Sequence, residues 1–192
     1  MASNIEIKAR LSPEHAAHLR AVARARSSLA PEILHQKDTF YQAAFGRLKL
    51  REFGDGSAEL IAYEREDGTG PTRSSFVRAP CADPASLHEA LSRSVGIRGV
   101  VEKRREVVHL GQTRLHLDDV VGLGSFLELE VVLRADQPPE EGEVIALELM
   151  AAFGIASESL IDVAYIDLLE AGAADRHGAA ERAPKGADLP GS

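Results

Sequence analysis

In residues 4–10, Asn-Ile-Glu-Ile-Lys-Ala-Arg, apolar Ile5, Ile7 and Ala9 alternate with Asn4, Glu6, Lys8 and Arg10. A period of two predicts a strand with one buried face. The next stretch changes to helical spacing, with Leu11, Ala16, Leu19 and Val22 or Ala23 on one side. Ser12 is placed to cap that helix and Pro13 suits its first turn. Period two then returns in residues 36–42, 46–53, 58–67 and 72–80, separated by Ala43 to Gly46, Gly54-Asp55-Gly56 and Gly68 to Pro71. Runs broken at such turn residues predict a meander of hairpins. A second helix is predicted from Asp83 as cap to Gly96 as stop, with Leu87, Leu91 and Val95 in a stripe. Three more strands follow over residues 99–111, 112–120 and 124–135, then helices over 138–154 and from Ser157 to Gly172. From Ala173 to Ser192 the sequence is small, polar and without period, as expected of a disordered tail.

The polar faces of these strands carry an unusual load. Leu48 and Leu50 oppose Arg47, Lys49 and Arg51; Leu115 and Leu117 oppose Arg114, His116 and Asp118; Leu127, Leu129 and Val131 oppose Glu128 and Glu130. Two arrangements accommodate this. The charged faces are either the wet side of an open antiparallel sheet, or the inside of a curved sheet whose apolar faces lie outward beneath the helices. Segregation of bases and acids by strand, where a merely soluble surface would mix them, favours the second. Crowded cations inside a barrel repel unless an anion sits among them, and a polyphosphate matches arginine forks and lysine charges. Carboxylates in the same space suit Mg²⁺ or Mn²⁺, which prefer oxygen ligands and bridge carboxylate to phosphate.

Composition narrows the setting. The chain has 192 residues, enough for one good core. A formal net charge of −8 disfavours nucleic acid as a partner, so any basic site is local. A single cysteine, Cys81, excludes an internal disulfide and fits a reducing compartment. No segment has the apolar length of a membrane span, and the start lacks a signal-peptide layout. A soluble, cytoplasmic protein without membrane or nucleic-acid partners is the expectation.

With these residues in view, the chain from Ile5 to about Leu169 resembles the CYTH superfamily of triphosphate tunnel metalloenzymes, which includes class IV adenylyl cyclases, thiamine triphosphatases and inorganic tripolyphosphatases. The likeness lies in the first strand, in Asp38 to Tyr41, Gly46 to Glu52, Leu60 to Asp67 and Thr72 to Phe76. It continues in Val101 to Val108 and Thr113 to Val132. It implies an α+β fold: an eight-stranded antiparallel β-barrel, the triphosphate tunnel, with helices packed on the outside. The domain would span residues 1–172, followed by the tail at 173–192.

Carried over residue by residue, the resemblance makes Glu6 and Lys8 the second acid and the lysine of the amino-terminal signature. It places Lys8, Arg47, Lys49, Arg51, Arg65, Arg73, Lys103, Arg105 and Arg114 on phosphate, and Glu6, Asp118, Glu128 and Glu130 on metal, with Glu6, Lys8 and Glu130 catalytic. Where the signature has its first Glu this chain has Asn4, which removes one negative charge from the metal cluster.

The expected activity is metal-dependent hydrolysis of a small triphosphate: tripolyphosphate, ATP or thiamine triphosphate. The alternatives are a class IV cyclase making cyclic AMP and pyrophosphate from ATP, and a non-catalytic triphosphate or polyphosphate binder. Oligomeric state stays open, a homodimer included. His116 is read as a proton-transfer group or a hydrogen-bonded tunnel residue. Asp38 is read as a group that positions water or a base, or as a strand-edge acid. Tyr41 and Tyr63 are read as tunnel-lining residues or, in preference, as aromatic core packing, and Glu102, Arg104 and Glu106 are assigned to the exterior.

Overall fold

The structure, a computed structural model, describes residues 2–65 and 71–181, with side chains set out for 4–64, 71, 72 and 74–174. Its strands are β1 (Ala2–Leu11), β2 (Glu32–Tyr41), β3 (Arg47–Phe53), β4 (Ala58–Arg65), β5 (Thr72–Pro80), β6 (Ile97–Leu110), β7 (Thr113–Val120) and β8 (Gly124–Val132). They close into a barrel in the order β1-β5-β4-β3-β2-β6-β7-β8, and every pairing is antiparallel. The helices are α1 (Pro13–Arg26), α2 (Pro84–Ser94), α3 (Pro139–Ala152) and α4 (Tyr165–Glu181). This is the α+β barrel with outer helices that the alternation and the resemblance imply.

Helix starts follow the side-chain chemistry. The Ser12 hydroxyl accepts from the His15 amide at 3.2 Å, and the Asp83 carboxylate accepts from the Ser86 amide at 3.1 Å. Each satisfies an amide the first turn leaves without a partner. The apolar strand faces lie outward, where Ile5, Ile7, Leu115, Leu117, Leu127 and Leu129 pack under α1 and α3. Each such side chain contributes about 1.5–3 kcal/mol of burial. Gly142 lets α3 lie close on β1, since a Cβ there would come within 2.6 Å of Leu133 and 2.9 Å of Ile5. On the other side α2 sets Leu87 and Leu91 against Leu48, Leu50 and Tyr41.

Glu106 faces outward as its position in the alternation requires, yet it is fully buried beneath α1, with Arg24 at 2.5 Å and Arg20 at 3.8 Å. A carboxylate in that setting needs both cations.

The carboxy-terminal helix differs from expectation. Residues 157–159 form one 3-10 turn, Leu160 bridges to Ala9, and the Ile161 amide donates to the Lys8 carbonyl at 2.9 Å. β5 pairs with β1 only as far as the Glu6–Thr72 pair, and the extended segment satisfies the backbone groups beyond it. Helix α4 therefore begins at Tyr165, where the Asp167 carboxylate accepts from the Ala164 amide, and it continues past Ala173 to Glu181. Among the described residues no helix is long and apolar enough to cross a membrane.

Candidate active site

The inward faces of the strands enclose a cavity of about 330 Å³. Its floor is apolar and packed shut. Phe40, Val101, Val120 and Phe126 meet Ala164, Tyr165 and Ile166 from the start of α4, with the Phe126 and Tyr165 rings 4.9 Å apart. From that floor the cavity opens toward the far end of the barrel.

One wall is basic. On β3 and β2, Lys49 lies 2.8 Å from Asp38, and Arg51 grips the same carboxylate with two bonds of 2.7 Å. On β6 and β7, Arg105 grips Asp118 with two bonds of 2.6 Å, and Lys103 reaches it at 3.2 Å. The register enforces this, since Asp38 pairs across the strands with Arg51 and Asp118 with Arg105. Four buried or half-buried cations thus share these two carboxylates, and Arg105 also reaches Glu128 at 3.3 Å. Burial and the neighbouring Arg51 charge push Lys49 down to about 7, and burial and Arg105 push Lys103 down to about 8. Burial alone would raise Asp38, but Arg51 and Lys49 hold it well below the carboxylate range. The balance shows cation in surplus.

The facing wall, from β1, β8 and β7, is acidic. Glu6 stands directly opposite Glu130 in the register and Lys8 opposite Glu128, at 3.8 Å between side chains. Arg114 donates to Glu130 at 2.8 Å, and the Asn4 amide also bonds Glu130. His116 lies 3.1 Å from Glu128 and 3.5 Å from Glu130. Burial, with the Arg105 charge, lowers the His116 imidazole below its ordinary value. Burial would raise Glu128, but Arg105 and the His116 hydrogen bond hold it well below the usual range.

The structure therefore brings together Glu6, Lys8, Arg47, Lys49, Arg51, Lys103, Arg105, Arg114, Glu128 and Glu130 around one cavity. The side chains of Arg65 and Arg73 lie outside the described residues. Asp118 is not in the lining: it is fully buried behind the wall, with its oxygens taken by Arg105, Lys103 and the Tyr165 hydroxyl at 3.0 Å. Its role here is to anchor the basic wall. Asp38 does the same for the other half, which settles the two readings it had from sequence. Arg47 is shared, lining the cavity while donating to Asp167 of α4 at 2.9 Å.

Sequence reasoning missed Tyr165 and Arg78. Arg78 is legible in the alternation Ser74, Phe76, Arg78; nothing local marks Tyr165. Among the described lining residues eight Lys and Arg stand against five Asp and Glu, six with Asp118, inside a chain of net charge −8. A family model for the CYTH domain matches residues 2–165.

The chain belongs to the CYTH family. A search of curated proteins finds no match. Among solved structures, this CYTH domain is similar to the PH1012 protein of Pyrococcus horikoshii OT3, at 24% identity and a TM-score of 0.75, covering 86% of this chain and 98% of that one. It is also similar to HpAC1 of Hippeastrum, which is reported to have a dominant triphosphatase activity, at 16% identity and a TM-score of 0.63, covering 90% and 96%. A Mimivirus capping enzyme triphosphatase matches at 12% identity and 0.55, covering 79% and 89%. At these identities the likenesses speak for the barrel alone.

CYTH membership makes a divalent cation a question for the acidic wall. Among the described residues no three His, Cys, Asp or Glu side chains stand gathered as a metal-holding group. The donor chemistry nonetheless fits a hard cation. Glu6, Glu128 and Glu130 present carboxylates to the cavity, and the Asn4 side-chain oxygen beside Glu130 is buried without a hydrogen-bond partner. Asp118, fully buried behind the wall and outside the lining, does not face that space.

Proposed function

We propose that this CYTH protein is a divalent-metal-dependent phosphohydrolase that cleaves a small triphosphate in its barrel. The single observation that carries the reading is the basic wall: Lys49, Arg51, Lys103 and Arg105 crowd around Asp38 and Asp118, with Glu128 of the acidic wall reaching Arg105 at 3.3 Å. Such a surplus is relieved by a polyanion.

Phosphoryl transfer needs alignment and charge neutralisation more than covalent help. Arg51 and Arg105, each held flat by a bidentate carboxylate grip, keep their remaining N–H groups aimed at fixed points, and Lys49 and Lys103 add point charge between them. Arg114 and Lys8 stand on the acidic side and hold the phosphate chain against the opposite wall. Mg²⁺ or Mn²⁺ held by Glu6, Glu128 and Glu130, with Asn4 supplying a neutral oxygen, would neutralise phosphate charge and polarise the scissile phosphorus. Lys8 then lies between carboxylate and phosphate, where it stabilises charge on the reacting group.

The test is to incubate purified protein with tripolyphosphate, ATP and thiamine triphosphate, each with Mg²⁺ or Mn²⁺, and to identify products. Metal-dependent release of phosphate is expected. Cyclic AMP with pyrophosphate from ATP would assign a cyclase instead, and binding without turnover would assign a sensor. Replacing Glu130 with Gln lowers turnover by about 100-fold or more while changing triphosphate affinity far less. Full activity in that variant refutes its metal role.

A further inference from the structure

Three aromatic rings of the floor, Phe40, Tyr63 and Tyr165, reach the cavity lining, and each has a cation of the site over its face. Lys49 Nζ lies 5.3 Å from the centre of the Phe40 ring and 5.5 Å from that of Tyr63, and the Arg47 guanidinium lies 5.9 Å from Tyr63. Tyr165 is approached by two lysines, Lys8 Nζ at 4.5 Å and Lys103 Nζ at 5.2 Å. These separations fall within the roughly 6 Å over which the negative face of a ring attracts a cation.

Tyr165 also differs from the other two rings in what it joins. It is the first residue of α4, whereas Lys8 stands on β1 in the acidic wall and Lys103 on β6 in the basic wall. The ring is itself held on two sides. Its hydroxyl donates to Asp118 at 3.0 Å, and Phe126 packs against it at 4.9 Å with the two planes tilted by 54°. At 6% exposure it is shut off from water, where the attraction between ring and ammonium is stronger than on a wet surface. The two lysines have carboxylate partners as well, Glu128 at 3.8 Å from Lys8 and Asp118 at 3.2 Å from Lys103. A carboxylate cancels the charge it supports. A ring supports an ammonium and leaves the net charge of the site unchanged, so the field that meets a polyanion is undiminished.

We propose that Tyr165 is a positioning residue for phosphate binding: its ring holds the Lys8 and Lys103 ammonium groups, one from each wall, so that both point charges are in place before a triphosphate enters. This rests on the reading of the cavity as a triphosphate site and adds the start of α4 to it. A lysine ordered in advance loses less side-chain entropy when the ligand arrives, and the gain appears as affinity.

Tyr165→Phe keeps the ring, and adding one, two or three fluorines to that phenylalanine drains the negative face at nearly constant volume. Tripolyphosphate binding is measured by calorimetry in EDTA, so that turnover does not interfere, and the melting temperature of each sample is measured without ligand. With Tyr165→Phe as reference, Kd should rise at each step of the series, to about tenfold or more with three fluorines. The same three fluorines on Phe126, whose face carries Arg10 at 4.8 Å rather than either lysine, should leave Kd within about twofold of the parent. Four results would make the ring a packing element and overturn the proposal while leaving the triphosphate site standing: a Kd level along the series, a Kd that rises only in step with a falling melting temperature, an equal rise from fluorinated Phe126, or loss of binding already in Tyr165→Phe. A parent protein that does not bind tripolyphosphate would overturn the site and the proposal together.

Discussion

Asp38 offers the sharpest way to test whether the basic wall is built to take an anion. It is 2% exposed and holds Lys49 at 2.8 Å and Arg51 at 2.7 Å. Asp38→Asn keeps the shape and removes the charge. Each attraction lost is about 4 kcal/mol at 4 Å and an effective dielectric constant of about 20. Against this stands the several kcal/mol no longer needed to dehydrate the carboxylate. Breaking a buried pair in this way costs about 3–5 kcal/mol net, because the remaining charges are left uncompensated. A chain of this length loses about 2–4 °C of melting temperature per kcal/mol, so the variant should melt roughly 6–20 °C lower. A triphosphate should then replace the missing carboxylate. At a concentration near 100 times its Kd it stabilises the native state by about 2.7 kcal/mol, and the rise should be larger in the variant, whose cations have lost their competitor. Thermal unfolding at low salt, with and without tripolyphosphate, measures both effects. If Asp38→Asn melts within about 2 °C of the parent and shows the same rise with ligand, the picture of a cation surplus held in check by Asp38 is wrong.

Two further outcomes test the same wall. Arg51→Ala should raise the triphosphate Kd by about 10- to 100-fold through loss of a charge-assisted contact worth about 1.5–3 kcal/mol, with circular dichroism showing an intact fold; equal binding would contradict the clamp. Binding should also take up protons between pH 7 and 9. Free Lys49 and Lys103 lose charge as pH rises through about 7 and about 8, whereas bound phosphate keeps them protonated, so affinity falls with rising pH. Calorimetry in two buffers of different ionisation enthalpy reads that uptake. Lys49→Arg, charged throughout, should reduce it, and an unchanged uptake would remove Lys49 from the linkage.

The alternation in each strand, the caps at Ser12 and Asp83 and the strand-by-strand segregation of charge were all legible before any coordinates. They depend on local geometry: period two sends neighbours to opposite faces, and a cap satisfies amides within its own turn. Helix α4 was legible only in part. Its start at Tyr165 is set by the Lys8 and Ala9 backbone, more than 150 residues away, which draws Leu160 and Ile161 into extended structure. No helical period records such a demand.

Glu6, Lys49 and Glu130 were identified as inward groups from one-dimensional pattern and family likeness. What the pattern could not assign was partnership. Asp118 and Glu128 sit on neighbouring strands with the same parity, yet Asp118 is consumed in fixing Lys103 and Arg105 while Glu128 lines the cavity. The choice is made by Tyr165, arriving from α4 to donate its hydroxyl to Asp118 and close the space above it. Sequence alone determined which face of each strand each side chain would take, because that is a property of the backbone repeat. The closed barrel decided which charges neutralise one another and which remain open to a ligand, because Coulomb and hydrogen-bond energies depend on separations in space that only strand order and register create.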